Sequence, residues 1–358
     1  RWHGIRQGRG DIVAASSALP TAQIVIEILE QLIKYTDPEH GLTAAEISKR
    51  INVSDKTVRG HLKALQSMTP FDRHVSHLDR RDLVNAESAN PRPGWYIEPV
   101  FDIAQMRLLV DGAALSSSDG EYLRELIAKI YTFAGKSGQL RGLEQLTTPK
   151  NYNTEFLNNI EILNDAIAYG RVIRFRYCTY DVNGNLVPRR NGDGDIKTYL
   201  ADPYHLMYKN SKYYLLCHMH RYDSLSYLHV ERIRDLSIEG PDHSLKRTLD
   251  SFSPTPGQPF DIVRHMNERP YPMDGKATPI HMKIHGALEP LYDWFADADV
   301  VQTGEREYDV HVVANEHATL WWALQYADSH IIEILSPASL RKMLHDTGEY
   351  LASTYAQQ

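Results

Sequence analysis

Cysteine is nearly absent: the 358 residues hold two, Cys178 and Cys217, each inside an apolar, strand-like stretch. They lack C-x-x-C spacing, so they spell neither a metal knuckle nor a redox motif, and one pair makes no disulfide framework. Two buried free thiols in a reducing cytoplasm is the expectation. Long apolar runs are missing too, with nothing near the roughly 18 residues that a membrane helix needs. The first ten residues, Arg1 to Gly10, place Trp2 and His3 among basic residues without an apolar core. They read as a flexible arm or an appended remnant rather than a signal peptide. Enzyme signatures are also lacking: no Walker loop, no G-x-S-x-G, no H-E-x-x-H, and no G-x-G-x-x-G after a strand. Gly192-Asp193-Gly194-Asp195 hints at calcium, but a closing glutamate and flanking helices are missing. The expectation is a non-enzyme with no cofactor and no bound metal.

What is present is an ordinary globular composition, 42% hydrophobic and 24% charged, in a chain long enough for two or three cores. A net charge of −7, taken as an average, argues against nucleic acid. The average hides a reversal, because Lys49 to Arg81 holds eight basic and three acidic residues, a local +5 that leaves −12 on the rest. A basic module on an acidic body binds polyphosphate on one face and repels it elsewhere.

The basic segment has helical spacing at Ile24, Ile28, Leu29, Leu32 and Ile33, with a stop near Pro38 and Gly41. Thr43 then reads as an N-cap with Glu46 as its capping-box partner, opening a short helix from Ala44 to Arg50. After the turn Ile51-Asn52-Val53, Ser54 caps a third helix to about Ser67, with Val58, Leu62 and Leu65 facing inward. Its other face shows Asp55, Lys56, Arg59, Lys63 and Gln66, flanked by Thr57, Gly60 and His61. Short helix, tight turn and a second helix with a polar basic face is the helix-turn-helix pattern. Arg59 can fork onto guanine or phosphate, while Lys56 and Lys63 suit phosphates. Strand-like residues from Phe71 to Val84, a tip from Asn85 to Pro93, and a return at Gly94-Trp95-Tyr96-Ile97 supply a wing. His74, His77, Arg80 and Arg81 lie on its approach. The expected DNA contacts are therefore Ser54, Lys56, Thr57, Arg59, His61, Lys63, His77, Arg80 and Arg81.

Two helical stretches follow, Glu121 to Tyr131 and Glu155 to Tyr169, separated by a polar break with Gly135, Gly138 and Gly142. They suit a linker and dimerisation element. The period then switches to 2. Strands are expected at Val172 to Tyr177, Lys197 to Ala201, Tyr204 to Tyr208, Tyr213 to Met219, Tyr227 to Val230 and Ile233 to Ile238. So many short strands at close spacing suggest a small, bent antiparallel barrel. His218 and His220, two apart on one strand, could form a metal pair, but no third ligand is evident.

Asp202-Pro203-Tyr204-His205-Leu206, Tyr213-Tyr214-Leu215 and Leu228-His229-Val230-Glu231-Arg232-Ile233 together resemble the WYL domain, named for a Trp-Tyr-Leu triplet. The chain departs from that pattern at Tyr213 for the tryptophan, Glu231 for an aspartate, and Ser226 where a basic residue is frequent. The resemblance extends to the C-terminal part. There, strands at Ile280 to Ile284, Tyr308 to Ala314 and Ile331 to Leu335 alternate with helices at Leu288 to Phe295, from Leu320, and at Pro337 to Tyr355. It implies a multidomain α+β protein: a winged helix, a helical linker, a small Sm-like β-barrel and a ferredoxin-like α/β sandwich. The expected boundaries are an arm at 1–20, DNA-binding domain 21–100, linker 101–170, WYL sensor 171–245, linker 246–276 and extension 277–358. The Trp321-Trp322 pair is expected in the last core, and His281, His285, His311 and His317 carry no expectation of their own.

The resemblance also implies an effector derived from nucleic acid, a nucleotide or a single strand, held by aromatic faces and cationic donors. By position His205, Tyr214 and Arg232 match the family pocket, and Tyr177, Arg221 and His229 join them as candidates. The implied function is a cytoplasmic, nucleoid-associated transcription regulator. It would be a dimeric repressor of phage-defence or DNA-damage genes, reading an inverted repeat in double-stranded DNA. Two other readings stay open: a protein that binds RNA or single strands through the barrel, and an allosteric accessory subunit of a defence or repair enzyme.

Overall fold

The computed structural model describes residues 20–86, 88–114, 120–133, 153–240 and 244–356. The arm expected over 1–20 lies, Pro20 aside, outside the described residues, as does the polar break around the middle glycines. The chain is a mixed α+β protein with two compact units. Of the described residues, one unit comprises those up to Ala114 together with 120–133, the other those from 153 onward. No helix among the described residues is long and apolar enough to cross a membrane.

The first unit opens with α1 (Thr21–Tyr35), α2 (Ala44–Ile51) and α3 (Asp55–Gln66). Ile24, Ile28, Leu32, Ile47, Val58, Leu62 and Leu65 are buried together, so the helical spacing becomes one shared core. The Thr43 side chain accepts from the Glu46 amide and Glu46 accepts from the Thr43 amide, a complete capping box. The α2–α3 turn is tight because Asn52 takes the left-handed conformation at φ 54°, which asparagine tolerates better than most residues. Strands β1 (Val75–Leu78) and β2 (Gly94–Ile97) pair antiparallel. Leu42 adds a third segment by exchanging hydrogen bonds of 2.9 and 2.7 Å with Trp95. The backbones approach so closely there that a Cβ on Gly94 would stand 2.6 Å from the Leu42 carbonyl carbon. Gly94 also has φ 145°, so glycine is needed twice over. Arg92, from the loop between the strands, reaches Glu46 at 2.5 Å and ties that loop to the start of α2.

Two more helices follow, α4 (Ile103–Ala114) and α5 (Gly120–Phe133), packed through Met106, Val110, Leu123 and Ile127. The sequence pattern does not announce α4. Its apolar residues run round the helix, and Leu108 and Leu109 are exposed.

The second unit begins with α6 (Phe156–Ala168), then β3 (Ile173–Tyr180), β4 (Leu186–Pro188), β5 (Thr198–Lys209), β6 (Lys212–Met219), β7 (Leu225–His229) and β8 (Ile233–Ile238). The antiparallel order is β4-β3-β5-β6-β7, with β8 on β3, so the sheet curls. A 3-10 turn, Val230–Arg232, carries the chain from β7, at one end of this path, to β8, which pairs with β3. The two strands expected at 197–201 and 204–208 are one strand, β5. Its register shifts between Pro203 and His205, and the bulge absorbs a proline that has no N–H for the ladder. Phe156, Leu163 and Ala166 of α6 fill the curl against Phe175, Leu215 and Ile233. Cys178 and Cys217 are buried free thiols.

The other side of the curled sheet carries Tyr204, Met207, Leu216 and Leu225. The chain after β8 crosses this patch as a strap, laying down Leu245, Leu249, Phe252 and Phe260, then Ile262 and Met266 of α7 (Ile262–Asn267). Residues 246–276, expected as a linker, thus pack on the sheet over much of their length. The Lys209 ammonium donates to the carbonyls of Met266 at 3.1 Å and Arg269 at 2.5 Å. Buried Arg269 donates in turn to the carbonyls of His265, Met273 and Gly275.

The C-terminal part comprises β9 (Ala277–His285), α8 (Glu289–Tyr292), β10 (Asp299–Gly304), β11 (Glu307–Asn315), α9 (Glu316–Gln325), β12 (Ile332–Ser336) and α10 (Ala338–Thr354). All pairs are antiparallel, in the order β10-β11-β9-β12. One face of this sheet, with Ile280, Met282, Ile284, Val310 and Val312, packs on Trp322 and Leu340. Only half of the tryptophan pair is core: Trp322 is buried and Trp321 is exposed. Successive helical residues point in different directions, so neighbours cannot both face inward. Strand β10 has no counterpart in the sequence reading, because it is a polar edge strand with few buried positions.

Candidate functional site

Two clusters stand out, one in each unit. On α3 the Ser54 hydroxyl accepts from the Thr57 amide at 3.2 Å and meets the Thr57 hydroxyl at 2.7 Å, so both residues are engaged in the cap. Lys56, Arg59 and Lys63 are exposed, and His61 is partly so, while Val58, Leu62 and Leu65 on the inner side are buried. Arg59 leans on Asp55 at 2.6 Å, whereas Lys56 and Lys63 make no ion pair among the described residues. His77 on β1 sets its ring edge-on to Trp95 and lies 3.3 Å from Asp79. Arg80 and Arg81 are exposed in the turn just after β1. Of the expected DNA contacts, Lys56, Arg59 and Lys63 thus share the outer face of α3, Thr57 and His61 lie to its side, His77 is on β1, and Arg80 and Arg81 are in the turn that follows.

The second cluster forms where β6, β7 and the 3-10 turn meet β3. Tyr214 and His229 are ladder partners with ring centroids 4.5 Å apart. The His229 amide donates to the Tyr177 hydroxyl at 3.0 Å. Arg232 lies over the Tyr180 ring at 5.3 Å, and Arg189 over the Tyr177 ring at 4.9 Å. Burial, helped by the Arg232 and Lys212 cations, pushes the His229 pKa down to about 4. Burial raises the Tyr177 and Tyr214 hydroxyls above their ordinary value. The result is a half-buried aromatic floor with neutral polar tips, rimmed by the cations of Arg189, Lys212 and Arg232. Such a surface can stack a base and donate to a phosphate.

Of the expected effector residues, the structure brings together Tyr177, Tyr214, His229 and Arg232. His205 is exposed on β5, opposite Leu216 and two rungs along the ladder from Tyr214. Arg221 follows the far end of β6 and touches none of the four among the described contacts. Arg189, Lys212 and Tyr180 join the cluster without a sequence signal of their own, since the first two sit in turn-like sequence. The support beneath the site was also invisible. Asn153 donates to the carbonyls of Glu231 and Ile233 at 3.1 and 2.8 Å, and Asn159 to that of Ile233 at 2.9 Å. These two buried amides fix the turn that presents Arg232. The one signal for Asn159 is a polar residue interrupting the apolar stripe of α6.

His218 and His220 do have a carboxylate neighbour, Asp202, whose ladder partner is His218. The Asp202 oxygens accept from His218 Nδ1 at 2.9 Å, His220 Nε2 at 2.7 Å, and the amides of Lys246 and Arg247. His218 Nε2 is spent on the Tyr222 carbonyl. Every Asp202 oxygen is thus engaged, and the trio fastens the strap to the sheet.

The second cluster lies within a segment that matches a known family. Residues 158–238 match the WYL domain family, so this segment of the chain is a WYL domain. No curated protein matches the chain. Among solved structures, the chain is similar to proteasome accessory factor B/C (PafBC) of Arthrobacter aurescens, at 15% identity and a TM-score of 0.29. The match covers 99% of this chain and 52% of that one, so the chain spans about half its length.

Proposed function

We propose that the chain is a sequence-specific DNA-binding transcription regulator, a dimeric repressor without catalytic activity, controlled by an anionic effector at its WYL domain. In this reading α1 to α3 with β1 and β2 form a winged helix, and β9 to α10 a ferredoxin-like extension. The observation that carries it is α3: capped by Ser54, buried along one side, and presenting Lys56, Arg59 and Lys63 to solvent along the other. A helix with an exposed face of three cations, one of them paired with Asp55, fits the major groove. The Tyr177, Tyr214, His229 and Arg232 cluster supplies the sensor, with a nucleotide or short single strand as the ligand class. The regulator would act in the cytoplasm on an inverted repeat.

Selection of duplexes from a random pool, followed by gel shifts in competitor DNA, tests the reading. A specific duplex should emerge, and Arg59→Ala should weaken it by about 1–3 kcal/mol with relaxed preference at one position. Lys63→Ala should instead lower the salt slope by about one unit with preference intact. Failure to enrich any duplex, with tight binding of single strands, would move the main nucleic-acid site to the WYL domain.

A further inference from the structure

The C-terminal sheet has an open face as well as a core face. Along β9 and β11 the even-numbered Ile280, Met282, Val310 and Val312 are buried, so their odd-numbered neighbours point to the open side. His281 and His311 are ladder partners there. Their rings stack with centroids 4.2 Å apart and 9° between planes. Asp309, two residues before His311 on the same face, takes both: His281 Nε2 lies 2.7 Å from one carboxylate oxygen, His311 Nε2 3.4 Å from the other. The three donor atoms fall within 4.8 Å of one another. Asp299 on β10 is the other ladder partner of His311 and adds a second carboxylate to that face. Lys283 is the ladder partner of Asp309 on β11 and of Glu333 on β12.

We propose that His281, Asp309 and His311 form a surface site for a borderline divalent metal ion, zinc by preference, on the open face of the C-terminal sheet. Two imidazole nitrogens and one carboxylate suit zinc, nickel or copper, while calcium and magnesium want oxygen alone. Three protein ligands leave a fourth position for water or Asp299. Zinc bonds of about 2.0–2.2 Å require the donors to close in slightly, which partly exposed side chains achieve by rotation. Among the described residues two other such clusters occur, and each has an additional partner: Asp202, with His218 and His220, accepts from the strap amides, and Asp346, beside His345 and Glu349, pairs with Lys342 at 2.8 Å.

Metal-stripped full-length protein titrated with zinc against a chromogenic chelator tests the site. Wild type should hold one equivalent that Asp309→Asn, His281→Gln and His311→Gln each weaken by at least about tenfold. His345→Gln should keep it, and millimolar magnesium should not displace it. Cobalt loading should give visible absorption in wild type that fades in the same three variants. Far-UV circular dichroism checks folding, and any one well-folded variant suffices to decide. A wild type that binds no zinc, or folded variants with unchanged stoichiometry and affinity, overturns the proposal.

Discussion

At pH 7 the ring of His229 is uncharged, because burial and the neighbouring cations hold its pKa at about 4. In the unfolded chain an ordinary histidine titrates near about 6.5. Between those values the unfolded chain takes up the proton that the folded one refuses, so acid favours unfolding. His265, pushed down to about 3 by its burial, adds in the same sense. Stability should therefore be full above about pH 6.5 and decline as the pH falls towards 4. His229→Gln should shrink the drop in melting temperature between pH 7 and pH 5, leaving the part due to His265. Melting curves that shift equally in variant and wild type would mean that His229 is not desolvated as the packing around Tyr214 implies. A neutral His229 leaves the attraction of an anion to Arg189, Lys212 and Arg232.

At the scale of elements, local signals were legible and long-range ones were not. The capping box of Thr43 and Glu46, the Ser54 cap and the inward stripe of α3 are written within a few residues of one another, and the structure has them all. Strand β10 and helix α4 escaped, since an edge strand and a helix with exposed leucines lack the periodicity that burial on one face imposes. The Asp202-Pro203 step looked like a strand end because a bulge is visible only against its partner strand. The same holds for the site. Tyr214, His229 and Arg232 stand in a recognisable run, whereas Arg189, Asn153 and Asn159 reach the cluster only through ladder and helix packing. Gly94 is a case where the element depends on one residue. Gly94→Ala should cost about 1–3 kcal/mol from the backbone conformation alone, with the clash against Leu42 added. Trp95, next in the strand, reports it: a lower urea midpoint by tryptophan fluorescence is expected, and an unchanged one would contradict the close approach.

For the whole molecule, the proposed DNA binding needs two half-sites, because a single recognition helix would read only a few base pairs. Leu108, Leu109 and Phe133 stand exposed on α4 and α5, and the proposed dimer would use such apolar surface. Light scattering at micromolar concentration should give a homodimer, and a monomer with and without DNA would refute it. An effector can alter DNA affinity only by favouring one of two arrangements of the molecule. Arg232→Ala should lower the affinity of whichever nucleotide or oligonucleotide raises the melting temperature by about 1.5–3 kcal/mol. It should leave effector-free DNA binding intact and abolish the effector's influence on it; a normal response in a folded variant would place the sensor elsewhere. The strap across the back of the curled sheet has a consequence for cutting the chain. Phe252, Phe260, Ile262 and Met266 cover Tyr204, Met207, Leu216 and Leu225, and Lys246 and Arg247 lend their amides to Asp202. A fragment that stopped at the end of β8 would keep every strand of the sheet yet bare a greasy patch and strand a buried carboxylate. Such a piece should clump on expression, and a protease entering the strap should release no stable core. The sheet, though complete in its strands, borrows its second skin from the sequence that follows it.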